Sequence, residues 1–159
     1  MTVAKPMWRD EKWPVLEITT ATEFTKHNVR DFLEQISCFY PNFHAWLNFT
    51  FVSQLKSGQR KALIIKEGQQ IAGVSLIKIS AEEQKISTFF VAPTFQRKGY
   101  GDALMERSLS YLHSPVNITV CDERWNEMHG FLAKHNFKCE NFVKDFYRPG
   151  FTEYFCSLR

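Results

Sequence analysis

The sequence predicts a single α/β domain, built on a mixed and mostly antiparallel sheet of about six to seven strands flanked by about four helices. Between residues 61 and 91, three β-type segments follow one another through short turns, a pattern typical of an antiparallel meander. A helical segment then leads to another apolar β-type segment at 116–121, and such a crossover produces a parallel neighbour. The 159 residues suffice for one domain with a full core, so residues 1–159 are taken as one unit.

The N-terminal part predicts a leader, a strand and a helix. Residues 1–14 hold two tryptophans among charges and prolines, which favours an irregular leader packed across the body. Residues 15–20 alternate between apolar and polar side chains and predict the first strand. Thr22 and Thr25 form a plausible N-cap region for a helix. The apolar stripe of that helix consists of Val29, Phe32, Leu33 and Ile36.

A second helix and a hairpin follow. Pro41 is suited to the first turn of a helix whose apolar stripe includes Phe43 and Trp46. Residues 61–67 and 71–80 flank a turn at 68–70 and predict a hairpin, which continues into a strand at 85–91. Aromatic side chains crowd the second helix and are more typical of a core than of a ligand site: Phe39, Tyr40, Phe43, Trp46, Phe49 and Phe51.

The C-terminal part predicts another crossover helix and a last hairpin. After the strand at 116–121, a helix carries Trp125, Met128, His129 and Leu132 on one face. Residues 142–147 and 152–158 then predict two paired strands joined by a turn-rich link.

Charge and cysteine content exclude several classes of protein. Twenty basic and 17 acidic residues give a net charge of +3, which is too small to indicate a nucleic-acid binder and is compatible with an anionic ligand. The four cysteines form no C-x-x-C pair and no zinc-ligand spacing, so we expect neither a disulfide framework nor a metal site. We find no signal peptide and no apolar run of about 18 residues, and therefore expect a cytoplasmic protein without membrane contact.

The stretch between the strand at 85–91 and the helix that follows predicts an anion site. Pro93 ends the strand, and the basic residues Arg97 and Lys98 precede a G-x-G turn into a helix from Asp102. Glycine lets a ligand approach the backbone, and the first N–H groups of a helix have no intrahelical acceptor. Together these groups suit a phosphate or pyrophosphate.

The spacing of the glycines distinguishes this stretch from two known phosphate-binding loops. A nucleotide P-loop requires G-x-x-x-x-G-K-[ST], and Asp102 after Gly101 does not fit it. A dinucleotide-binding loop requires G-x-G-x-x-G directly after the strand, but Leu104 stands at the third glycine and the strand ends too early. A flexible turn into a helix remains the simplest alternative.

A family resemblance is more specific. Residues 89–104, FFVAPTFQRKGYGDAL, resemble the acyl-coenzyme A motif of the GNAT N-acetyltransferases, which consists of an apolar strand, V-x-P, then [Q/R]-x-x-G-x-[G/A] and a helix. The residues in register with this motif are Val91, Pro93, Gln96, Gly99, Gly101 and Leu104. The order of the other predicted elements also fits, so the resemblance covers nearly the whole chain.

The resemblance implies acetyl coenzyme A (acetyl-CoA) as acyl-donor substrate and a parallel fourth and fifth strand that splay apart to take its pantetheine arm. It also implies that the backbone N–H of Val91, at a bulge in the strand, donates to the thioester oxygen as it becomes an oxyanion. The aromatic second helix would border the acceptor entrance. The residues expected to bind the cofactor are Phe90, Val91, Gln96, Arg97, Lys98, Gly99, Tyr100, Gly101, Asp102 and Asn126.

The usual general acid of the family is missing. A family helix ends in F-Y-x-K-x-G-F, and the matching residues 131–137, FLAKHNF, place Leu132 at the tyrosine. Leucine cannot transfer a proton, so the candidates are Tyr147 on the last hairpin, Cys121 at a strand end, and His129. Tyr154, on the same hairpin as Tyr147, is a further candidate, and water could also serve.

Three other assignments concern the base and the charge of the loop. Ser87 and Thr88 could order a water that accepts the amine proton, and Glu123 is a carboxylate near the strand end. Asp102 would repel a pyrophosphate unless it turned away, and we expect Arg97 and Lys98 to offset its charge.

The sequence thus predicts an N-acetyltransferase that transfers acetyl from acetyl-CoA to a primary amine of a small molecule or protein by direct attack on the thioester. The acceptor stays open among aminoglycosides, polyamines, protein lysines or N-termini, and aminoacyl-tRNA. A homodimer also stays open. Because of Leu132, the alternative is a catalytically weak GNAT-like module that binds acyl-CoA or a partner protein.

Overall fold

The computed structural model describes residues 14–159, so that all of the expected leader except Pro14 lies outside the described residues. Seven strands form one sheet in this part of the chain, in the order β1-β2-β3-β4-β5-β7-β6. The strands are β1 (Val15–Ile18), β2 (Arg60–Glu67), β3 (Gln70–Ile79), β4 (Gln84–Val91), β5 (Val116–Cys121), β6 (Lys138–Lys144) and β7 (Thr152–Leu158). Only β4 and β5 are parallel, which confirms the predicted mixed, mostly antiparallel sheet.

The α-helices are α1 (Ala21–Lys26), α2 (Val29–Leu33), α3 (Phe43–Trp46), α4 (Tyr100–Ser110) and α5 (Asp122–Lys134). Two hydrophobic cores lie on opposite faces of the sheet. The first is built by α4, α5 and one face of the central strands, and the second by the helical region from α1 to residue 57. Neighbouring residues of β2 therefore enter different cores, as Leu63 and Ile64 do. None of the helices within residues 14–159 is long and apolar enough to cross a membrane.

The helical region before β2 is more broken than its apolar periodicity predicts. Thr20, not Thr22, is the N-cap of α1, because its hydroxyl accepts a hydrogen bond from the Glu23 N–H at 3.1 Å. Pro41 does not open the second helix. Asn42 next to it is left-handed, with φ of 56°, and α3 begins one residue later. A π-helix (Leu47–Phe51) and a 3₁₀-helix (Val52–Ser57) continue α3, and a 3₁₀-helix (Glu34–Phe39) continues α2.

A bulge and an opening in β4 prepare the site. Thr88 pairs with Leu76 and Ile86 with Ile77, so Ser87 is the extra residue of a β-bulge. We expected the bulge at Val91, which was wrong. Only residues 84–86 pair with β5, through Val116, Asn117 and Ile118. Beyond them β4 and β5 continue without pairing, and the predicted splay of these strands is therefore present.

The last hairpin contains a disulfide that we did not expect. Strand β6 begins four residues earlier than predicted, and Cys139 pairs with Cys156 in a disulfide across β6 and β7. The C-x-x-C criterion could not detect this pair, because a hairpin register brings together cysteines 17 residues apart. Because disulfides are rare in the cytosol, the cysteine content does not support the expected cytoplasmic location. Cys38 and Cys121 are free.

Candidate active site

The N-terminus of α4 presents free donors next to β4. Gly99 is its N-cap, with φ of 91°, a left-handed conformation that glycine adopts without strain. The Ala103 N–H donates to the Gly99 carbonyl at 3.1 Å and so makes the first helical bond. The N–H groups of Gly101 and Asp102 precede it and have no acceptor within the helix. This is the geometry of an anion site, and the helix begins two residues before the predicted start.

A cavity of about 440 Å³ lies between β4, the α4 N-terminus and α5; we call it the α4 cavity. Seven of the ten residues expected to bind the cofactor line it: Val91, Gln96, Arg97, Gly99, Gly101, Asp102 and Asn126. A Cβ at Gly101 would meet the Phe131 ring at 3.3 Å. The absence of a side chain at position 101 therefore keeps the cavity open beside the free N–H groups.

The other three expected residues point elsewhere. Phe90 lies in the second core, with its ring centroid 5.5 Å from that of Phe32. The Lys98 ammonium lies 3.3 Å from a Glu67 oxygen, and the buried Tyr100 hydroxyl donates to that oxygen at 2.7 Å. The hydrogen bond to Glu67 raises the pKa of Tyr100 to about 12. Glu67 therefore holds both of these side chains away from the α4 cavity.

Asp102 is compensated by residues that we did not expect. Its carboxylate accepts from the Lys134 ammonium at 2.7 Å and contacts His135 Nε2 at 2.8 Å. Burial alone would raise the pKa of Asp102, but these two partners hold it below its usual value. Lys134 and His135, rather than Arg97 and Lys98, thus offset the negative charge at the start of α4.

Sequence reasoning missed Arg124, which bridges the opening between β4 and β5. It is 4% exposed, and its Nη2 donates to the Phe89 carbonyl at 2.7 Å. Its Nε donates to Glu127 at 2.9 Å. An arginine in a charged link after a strand usually points to solvent, so no local pattern indicated its burial.

The register of β3 and β4 shows which backbone groups face this opening. The Ala92 N–H donates to the Ala72 carbonyl at 2.9 Å. Because hydrogen-bonded and non-hydrogen-bonded pairs alternate in an antiparallel ladder, the N–H and C=O groups of Phe89 and Val91 point away from β3. Consistently, the Gln96 amide donates to the Val91 carbonyl at 3.0 Å. The N–H groups of Val91 and Phe89 therefore both face the opening, although the bulge lies at Ser87.

A second cavity, of about 280 Å³, lies on the opposite face of the sheet. We call it the aromatic cavity after its wall of Tyr40, Phe43 and Trp46. The bulge turns both Ser87 and Thr88 toward it, and both line it. The remaining lining residues are Pro41, Arg60, Lys78, Glu83, Lys85, Thr119 and Tyr147. The two cavities therefore border consecutive residues of the same unpaired segment of β4.

The structure separates the candidate acids and bases. Tyr147 lines the aromatic cavity and is 42% exposed, and partial burial together with the nearby Glu153 charge raises its pKa. Cys121 is buried, which raises the pKa of its thiol. His129 lines neither cavity; it is exposed and packs on the Trp125 ring at 5.5 Å. Tyr154 stacks on the same ring at 4.0 Å, away from the cavities.

Two carboxylates near the strand ends differ in their partners and in the direction of their pKa shifts. Arg148 binds Glu123 through both terminal nitrogens, one of them at 2.8 Å, and this pairing holds the pKa of Glu123 below its usual value. Glu153, opposite Cys121 in the β5–β7 pair, is 4% exposed, and burial raises its pKa. Its Oε2 has no hydrogen-bond partner among residues 14–159. The sequence pattern showed Glu153 only as one polar residue of an alternating strand.

No group of three or more histidine, cysteine, aspartate or glutamate side chains within residues 14–159 has the arrangement of a metal site.

Comparisons with known proteins place these features in a family. No curated protein is significantly similar to the chain in sequence. Solved structures are similar in fold. A GNAT-family protein from Desulfovibrio desulfuricans has a TM-score of 0.72 at 16% identity, over 92% of this chain and 98% of its own. The ribosomal-protein-S18-alanine N-acetyltransferase of Escherichia coli has a TM-score of 0.64 at 14% identity, over 92% of both chains.

A GNAT-family acetyltransferase from Elizabethkingia anophelis, solved with acetyl-CoA bound, has a TM-score of 0.53 at 14% identity, over 65% of this chain and 78% of its own. The family model for the acetyltransferase (GNAT) domain matches residues 21–148, which include both cavities. The chain therefore belongs to the GNAT acetyltransferase family.

Proposed function

We propose that this protein is an N-acetyltransferase that binds acetyl-CoA in the α4 cavity and a primary amine in the aromatic cavity. The observation that carries the proposal is the segment of β4 that does not pair with β5. Phe89 and Val91 border the α4 cavity, and Ser87 and Thr88, immediately before them, border the aromatic cavity. A donor on one face and an acceptor on the other would thus meet at the same short stretch of backbone.

The residues of the α4 cavity fit the donor. The free N–H groups at the start of α4, with Arg97 beside them, suit a pyrophosphate. The N–H of Phe89 and the carbonyl oxygens of Phe89 and Val91 suit an amide-containing arm that pairs as an added strand would. The two carbonyls already accept from Arg124 and Gln96, but each carbonyl oxygen has a second lone pair for another donor.

Acetyl-CoA supplies an activated acyl group whose C–S bond breaks as the C–N bond to the amine forms. We assign the backbone N–H of Val91 to the carbonyl oxygen on which negative charge develops, where one such donor contributes roughly 3 kcal/mol. The N–H of Phe89 faces the same opening. Both are held by the β3–β4 ladder, so neither has to reorganise during the reaction.

Proton transfer is assigned to the aromatic cavity. Leu132 is fully buried in the first core and has no proton to give, so we assign the general acid to Tyr147, whose phenol is protonated near neutral pH. Water held by Ser87 and Thr88 could take the amine proton. Glu153 is a nearby carboxylate with a raised pKa and could receive it in turn. Cys121, with its raised thiol pKa, could only assist as a neutral donor.

The test is a calorimetric titration with acetyl-CoA, paired with a thiol-release assay over a panel of amines. Micromolar binding together with thiol release on one class of amine would support the proposal. Absence of binding would overturn the assignment of the α4 cavity. Binding without release on any amine would favour the second candidate, an acyl-CoA-binding module. The observation that favours this candidate is the buried Leu132 at the position of the usual tyrosine.

A further inference from the structure

The aromatic cavity carries an excess of positive charge. Its lining includes Arg60, Lys78 and Lys85 but only one carboxylate, Glu83. Lys78 pairs with Glu83 at 3.1 Å, and neither Arg60 nor Lys85 forms an ion pair with a lining residue. The whole chain has a net charge of only +3, so the excess at this cavity is a local feature.

Arg60 is the unusual member of this group. It is 6% exposed, and its Nε and Nη1 donate to Gln54 at 3.0 Å and to Ser87 at 3.1 Å, both neutral acceptors. No carboxylate of residues 14–159 forms an ion pair with it. By contrast, the buried Arg124 has Glu127 and the largely buried Arg148 has Glu123 as partners. A buried charge is costly unless it is paired, so a cation that lines a cavity without a partner favours an anionic ligand.

The rest of the cavity limits the size and character of such a ligand. Trp46 flanks the Arg60 guanidinium, with the ring centroid 5.7 Å from Cζ, and Tyr40 and Phe43 continue the apolar wall. The volume of about 280 Å³ suits a compact molecule. Arg60 reaches β4 at Ser87, two residues before Phe89, which is about 7 Å along a strand.

From these features we propose that the acceptor is a compact amine that also carries a carboxylate, an amino acid in the broad sense, with its carboxylate on Arg60 and its amine directed to the opening at Phe89. Lys85 adds a second positive charge at the same end. Guanidinium and carboxylate form two parallel hydrogen bonds, which orient the acceptor as well as bind it. This inference rests on the proposed function, because it assigns the acceptor of the same reaction.

The experiment compares matched amines that differ only in the carboxylate: phenylalanine with phenethylamine, and γ-aminobutyrate with propylamine. We expect kcat/KM, measured by thiol release, to be about tenfold to a hundredfold higher for the carboxylate member of at least one pair, the range for hydrogen bonds to a charged group. Arg60→Gln should remove this preference, and Arg60→Lys should retain part of it. Lys56→Gln, which removes an exposed cation outside the cavity, is the matched control and should leave the preference unchanged.

Several outcomes would overturn the inference. Equal rates for both members of each pair, or an equal preference in wild type and Arg60→Gln, would remove Arg60 as the carboxylate site. Efficient acetylation of a peptide N-terminus bearing no acidic residue and an amidated C-terminus would do the same. If Arg60→Gln does not fold, Lys85→Gln takes its place and should weaken the preference.

Calorimetric binding of the same pairs, with and without coenzyme A, separates failure of this inference from failure of the proposed function. If no amine is acetylated but the carboxylate members bind selectively and Arg60→Gln abolishes that selectivity, the anion site stands and the enzymatic assignment falls. If neither rates nor binding distinguish the pairs, the anion site falls whatever the enzyme assay shows.

Discussion

At the scale of single residues, burial decides which polar groups matter. Arg124, Arg60 and Glu153 are all below about a tenth exposed and lie near the opening between β4 and β5 or in the cavity beside it, yet nothing in their sequence context distinguishes them from surface charges. Composition shows that a charge exists but not which side of a strand or helix faces a cavity. The site could therefore be predicted at the glycine loop, where spacing is local, and not at these three residues.

Tyr147→Phe tests the proposed acid. Removing the hydroxyl should lower kcat about a hundredfold or more while leaving acetyl-CoA affinity unchanged, since general acid catalysis contributes about 100-fold to 10,000-fold. Tyr154→Phe is the matched control, because that ring stacks on Trp125 outside both cavities. Stopped-flow or thiol-release kinetics give kcat and calorimetry gives the affinity. An unchanged kcat would return the acid role to water.

Glu153 should make stability depend on pH. Its pKa in the folded protein is raised above the usual 4.5, mainly by burial, so the folded state holds the proton more tightly than the unfolded state. Stability contributed by the protonated form is complete below about 4.5 and declines as the pH rises through the folded-state pKa. Glu153→Gln should therefore raise Tm relative to wild type at pH 7, with a difference that shrinks toward pH 4.

The control for that comparison is Glu106→Gln, an exposed carboxylate on α4. It should shift Tm by a similar small amount at both pH values. A Glu153→Gln variant whose Tm difference from wild type is the same at pH 4 and pH 7 would contradict the assigned direction of the pKa.

At the scale of elements, sequence patterns located the strands better than the helices. The predicted bounds of β5 and β7 match the structure, because alternation over a short apolar run is a local property. The region from α1 to residue 57 breaks into α, 3₁₀ and π segments at left-handed Asn28 and Asn42 and around a cluster of aromatic rings. Those rings pack across the chain, and periodicity within one segment does not contain such contacts.

The glycine at the start of α4 offers a test of the element that would hold the pyrophosphate. Gly101→Val places a side chain against Phe131 and into the α4 cavity. Acetyl-CoA affinity should fall by about tenfold or more, because the ligand would then have to push the valine and Phe131 side chains aside. Gly130→Val is the matched control, because a Cβ at this helical glycine meets nothing within 4 Å. Calorimetry measures both affinities, and equal affinities for the two variants would argue against the α4 cavity as the cofactor site.

At the scale of the whole molecule, the sheet divides two chemically different spaces. The α4 cavity offers helix N–H groups and cations for a charged donor, and the aromatic cavity offers rings and Arg60 for the acceptor. The family, the meander from β2 to β4 and the parallel pairing of β4 with β5 could be predicted, since one motif and a crossover helix indicate them; the position of β7 between β5 and β6 could not. The disulfide between Cys139 and Cys156 could not, because it depends on the register of a hairpin.

The opening between β4 and β5 also has a kinetic consequence. Because the two cavities open on opposite faces of one sheet, occupancy of either leaves the approach to the other clear. The two ligands should then be present together before any bond changes, and double-reciprocal plots at several fixed concentrations of the second ligand should intersect rather than run parallel. No acetylated form of the protein should accumulate when acetyl-CoA is supplied without an amine.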